Sequence, residues 1–79
     1  MSVDLPLRQS AFKHGVSRNN ILHACRNVIE VRQHPKDGLV YIGPAADGTL
    51  LEIGLVKIEG EWTIVHAMRA RKGYLMKHA

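Results

Sequence analysis

The chain has 79 residues, 46 % of them hydrophobic, with eleven Lys and Arg against seven Asp and Glu, a formal charge of +4 and one cysteine. This supplies one apolar core but not two, so residues 1–79 are expected to form a single domain and not a disordered chain. Cys25 has no partner for an internal disulfide, and no apolar run approaches the ~20 residues of a membrane span.

The predicted elements run as follows. Residues 5–13 read as a short helix with Pro6 in its first turn, closed by Lys13-His14 and by Gly15 as a left-handed stop. Ser17 is an N-cap, and Val16 and Ile21 have the spacing of a hydrophobic staple. A second helix is predicted over about 18–29, with Ile21, Leu22, Cys25, Val28 and Ile29 on one arc. Cys25 reads there as a small core residue. Beyond Val28 the pattern passes into a first short strand at an indistinct boundary. Pro35-Lys36-Asp37-Gly38 is a hairpin turn, Leu39 to Gly43 a strand, and Pro44 to Gly48 a second connection. Thr49 to Ile58 is a longer strand. It places Leu51, Ile53 and Leu55 on one face, and Glu52, Gly54 and Val56 on the other. Gly54 is expected to mark a bulge or a close approach. Glu59-Gly60 is a turn, Glu61 to Ala67 or Met68 the last strand, and residues 69–78 a terminal helix or a frayed end.

The expected fold class is α+β: two N-terminal helices on a three- to four-stranded antiparallel sheet, with room for a C-terminal helix. The sheet face away from the helices is expected to be partly open or covered by another molecule. A basic n-region before an apolar run is missing at the N-terminus, so the chain is expected to act in the cytoplasm.

The groups suited to chemistry cluster in two places. His66, Arg69, Arg71, Lys72 and Tyr74 follow the last apolar run, and Lys13 and His14 close the first helix. The five histidines show no metal-ligand spacing, the Gly43 to Thr49 segment lacks a phosphate-loop ending, and no nucleophile elbow is present. Neither metal nor cofactor is expected. RNA cleavage through its own 2′-hydroxyl needs a base, an acid and cations for the phosphorane charge, and these residue types supply them. Simple alternation puts His66 on the face of Trp62 and Ile64, where a half-core histidine is an equal reading, and Arg69 on the other face.

The Lys13-His14-Gly15-Val16-Ser17 junction, the Pro-containing turn and the Ile64-Val65-His66-Ala67-Met68-Arg69-Ala70 segment together resemble the BrnT-like toxins of bacterial type II toxin–antitoxin systems, within the RelE-like ribonuclease superfamily. The likeness spans roughly residues 7–75. It implies a RelE-like fold, metal-independent mRNA cleavage that inhibits translation, and an antitoxin over the active face. It carries the basic residue before the glycine onto Lys13, the post-strand arginine onto Arg69 and the distal tyrosine onto Tyr74. The chain departs from the family in lacking an initial Trp-Asp strand, in reading His66-Ala67-Met68 where Ser-Ala-Arg is usual, and in having no acidic residue at Lys72 or Gly73.

The leading expectation is thus an RNA endonuclease, with His66, Arg69, Lys13 and His14 at the reacting phosphate and Arg71, Lys72 and Tyr74 binding substrate. A non-catalytic RNA-binding or ribosome-associated module, and a protein-interaction domain with a basic face, are the alternatives.

Overall fold

The computed structural model describes residues 5–34 and 37–71. A 3-10 turn, Gln9–Phe12, is followed by helix α1, Arg18–Arg26. Four strands then follow: β1 (Glu30–His34), β2 (Gly38–Pro44), β3 (Leu50–Ile58) and β4 (Glu61–Arg69). Each pairs antiparallel with the next, giving one sheet in the order β1-β2-β3-β4. The α+β class and the four-stranded antiparallel sheet are therefore as expected. No described helix is long and apolar enough to cross a membrane.

Only one of the two expected helices forms. The Ile64 amide donates to the Pro6 carbonyl (2.8 Å) and the Arg8 amide donates to the Ile64 carbonyl (2.9 Å), so Leu7 bridges in parallel to the outer edge of β4. Nine residues are too few for a stable helix without tertiary support, and an unpaired strand edge offers the backbone a competing set of partners. Only residues 9–12 curl, with Ala11 fully buried. Gly15 then reverses the chain at φ +78°, as its position predicted.

α1 starts where the N-cap predicts: the Ser17 hydroxyl accepts from the Asn20 amide (3.2 Å). It ends three residues earlier than its apolar arc suggests. Asn27 Nδ2 donates to the His23 carbonyl (2.8 Å), and the Ile29 amide is already bonded to the Ile42 carbonyl (2.8 Å) of β2. Side-chain capture of the backbone and sheet pairing outcompete another helical turn, leaving Ile29 exposed.

The core lies between α1 and one sheet face, where Ile21 and Ala24 meet Leu51, Ile53, Leu55, Ile64 and Ala67. α1 sits very close to β2: a Cβ at Gly43 would lie 2.4 Å from the Ala24 carbonyl oxygen. The β3–β4 turn has positive φ at both Glu59 (51°) and Gly60 (81°), the form that matches strand twist. On the opposite face Val40, Ile42, Glu52 and Thr63 are also buried, so that face is open only in part.

Two side chains of α1 hold the β2–β3 connection. His23 Nδ1 lies 2.8 Å from the Pro44 carbonyl, which can only accept, so this nitrogen carries the proton. Asn20 Oδ1 accepts from the Ala46 amide (3.0 Å). Replacing His23 by alanine is expected to cost about 1 kcal/mol, read as a lower urea midpoint with an unchanged slope.

Candidate functional site

The site begins with a break in alternation. Leu55 faces Ile64, but Gly54 faces His66, so Val65 is an extra residue in β4. Its carbonyl accepts from Ser10 Oγ (2.7 Å). The insertion reverses the parity of everything after it. Ile64 faces the core, yet His66 falls opposite Gly54 on the other face. The expectation that His66 shares a face with Trp62 and Ile64 is corrected here, because a bulge adds a residue that two-residue periodicity does not count. Gly54 serves both expected purposes, bulge and close approach: a Cβ there would come within 3.0 Å of His66 Cβ.

Glu52, one pleat along the same face, carries the site's negative charge. It is 2 % exposed. Oε1 accepts from the Arg71 backbone amide (3.0 Å) and Nε (3.1 Å), and Oε2 accepts from an Arg71 terminal nitrogen (3.0 Å). His66 Nε2 stands 3.4 Å from Oε2. A buried carboxylate is tolerable only with this degree of pairing. The guanidinium it holds is still 60 % exposed and the imidazole 37 %, so both reach solvent from a fixed base. From the far end of the chain, the His14 ring meets His66 edge-on, with centroids 5.3 Å apart at 77°.

Of the residues expected to act together, His14, His66 and Arg71 converge. Lys13 is exposed beside His14. Arg69 does not join them. It lies opposite Leu51, in register with the core-facing side chains, and so on the other face from His66. Its charge acts instead on Asp47, whose carboxyl is held below the usual range chiefly by its hydrogen bonds with Thr49, with Arg69 adding to the effect. His66 and Arg69 thus lie on opposite faces, as simple alternation predicted, because both follow the bulge. Lys72, Tyr74 and the predicted terminal helix beyond Arg71 lie outside the described residues. Glu52 was missed as a functional residue, although an acidic side chain inside the apolar run from Leu50 to Ile58 was visible, in a strand environment that disfavours Glu.

Beside this cluster is a cleft of about 280 Å³, with Val40, Gly54 and Val56 among its lining residues, His66 and Arg71 at one side and His34 also bordering it. Among the described residues no three His, Cys, Asp or Glu side chains are grouped as a metal site.

Cys25 lies apart from these groups, packed against the core as expected. Burial pushes its thiol from the ordinary 9.0 up to about 11. Since the folded value is the higher, the thiol's contribution to stability is complete below pH 9 and is lost as pH rises through about 11. Alkylation at pH 8 is expected to be about a hundredfold slower in the folded protein than in urea, following the thiolate fraction.

No protein-family model matches the sequence, and no curated protein or solved structure shows significant similarity to it.

Proposed function

We propose that the chain is a metal-independent RNA endonuclease, the toxin component of a type II toxin–antitoxin system with a RelE-like, BrnT-like domain, acting in the cytoplasm and silenced by an antitoxin over the His66 face. The observation that carries this reading is the meeting of His14 and His66 at 5.3 Å beside an arginine anchored on a buried glutamate. Histidines exchange protons near neutral pH, and two of them beside a guanidinium are the groups that transesterification of RNA requires. One imidazole takes the proton of the 2′-hydroxyl as its oxygen forms a bond to phosphorus. The bond from phosphorus to the 5′-oxygen breaks, and the second imidazole, protonated, gives its proton to that leaving oxygen. The products are a 2′,3′-cyclic phosphate and a 5′-hydroxyl. Arg71 offsets the added charge on the phosphoryl oxygens, while Glu52 orients Arg71 and His66. The net charge of +4 favours the approach of the polyanion.

A second reading, an RNA-binding or ribosome-associated module that does not cut, is favoured by one observation: Arg71 commits Nε and a terminal nitrogen to Glu52. Induced expression separates the two. The wild type is expected to arrest growth and to produce new RNA 5′ ends, whereas His66→Ala and His14→Ala do neither while retaining RNA affinity. A folded wild type that binds RNA but yields no new ends would replace the first reading with the second.

A further inference from the structure

We infer that the cleft beside His66 is a seat for a single unstacked base of single-stranded RNA, next to the phosphate held at Arg71; the inference rests on the RNA reading above and specifies its substrate. The sheet itself makes the seat. One cross-strand row runs Arg32, Val40, Gly54, His66; beside it His34 pairs with Gly38 and Val56 with Thr63, and Val56 lies next to Gly38. Gly54 carries no side chain, which lets His66 pack over its backbone, with His66 Cβ 3.0 Å from where a Cβ at Gly54 would stand. Valines at positions 40 and 56 line the cleft beside this contact, and the charged cluster of Glu52, His66 and Arg71 borders the same cleft.

This combination selects among ligands. About 280 Å³ lies just below the ~300–1,000 Å³ of small-molecule sites, which suits one ring system and not a folded strand. An apolar floor with one cationic border suits a flat, weakly polar ring joined to an anion. In RNA, unstacked bases packed against imidazole or guanidinium planes are the usual objects of recognition. The geometry also ties specificity to chemistry, since His66, seated on Gly54, itself lines the cleft that would take the base.

The test is nuclear magnetic resonance on the ¹⁵N-labelled full chain. The probes are inorganic phosphate, the four nucleoside 3′-monophosphates, and a single-stranded trinucleotide made uncleavable by a 2′-deoxy sugar. Phosphate is expected to shift His66 and Arg71 alone, and nucleotides to shift Gly54 and Val56 as well. Val56→Phe, which fills the cleft, is expected to weaken nucleotide binding about tenfold, the scale of one lost stacking contact. An intact phosphate response in that variant shows that it is folded. The trinucleotide is expected to bind at least about tenfold more tightly than any mononucleotide, through its additional phosphate contact. Nucleotides that shift only what phosphate shifts, or no binding by any probe, would overturn the seat. Equal affinity for mononucleotide and trinucleotide would overturn the RNA assignment in favour of a free nucleotide. Failure of the cleavage reading is recorded separately, by missing RNA 5′ ends in a protein whose Gly54 and Val56 still respond.

Discussion

Replacing Gly43 by alanine is expected to remove about 3 kcal/mol of stability, the upper range for overpacking a core. The added Cβ would lie 2.4 Å from the Ala24 carbonyl oxygen, 3.1 Å from its carbon and 3.3 Å from its Cα. All three are backbone atoms, so no side chain can rotate aside. Relief requires α1 to retreat from β2, and that opens the core at Ile21 and Ala24, both fully buried. A chain of this size has roughly 4–12 kcal/mol in total at ~0.05–0.15 per residue, so the loss is a large share. The melting temperature should fall by roughly 12–24 °C. Gly48→Ala is the control. Gly48 has φ +90° with nothing within 4 Å of an added Cβ, and only backbone strain of about 1 kcal/mol is expected. Equal melting temperatures for the two variants would refute the close approach of helix and sheet.

The second large effect concerns Glu52 and Arg71, and its direction is the informative part. Truncating the mainly exposed partner should cost more than replacing the buried one. Arg71→Ala removes the side-chain donors and leaves a carboxylate stranded in the sheet. Breaking a buried pair costs ~3–5 kcal/mol, reduced here to about 2 because Arg71 is largely exposed and its backbone amide stays bonded. Glu52→Leu removes the stranded charge itself and fills the space, so its stability should stay within about 1 kcal/mol of the wild type. Under the proposed function both variants lose cleavage. The double variant should regain most of the stability lost in Arg71→Ala, which a denaturation cycle over the four proteins would measure. If Arg71→Ala were as stable as Glu52→Leu, the ion pair would not be what satisfies Glu52.

Much of this architecture is legible from local signals. Ser17 and Gly15 mark the start of α1 and the break before it, Glu59-Gly60 marks the last turn, and Leu51, Ile53 and Leu55 alternate as a one-sided strand should. What could not be read depends on partners distant in sequence. Pro6 to Arg8 pass for helix until β4 offers an edge to pair with. The site is half legible for the same reason. Its residue types could be named, but their grouping turns on Val65, a bulge residue that looks like any other strand valine. Counting by twos joins His66 to the core and leaves Glu52 unremarked, whereas one inserted residue joins them to each other.

The contact between the start of the chain and β4 also bears on when the site comes into being. Every strand pair in the sheet is a neighbour in sequence, so hairpins and α1 need only local loop closure. The Ser10 to Val65 hydrogen bond spans 55 residues, and the meeting of His14 with His66 belongs to the same long closure. A nascent chain can therefore build its first hairpin while its two imidazoles are still far apart. The His14–His66 pair is a late product of synthesis, completed only when β4 has emerged and the N-terminal segment has docked on its edge.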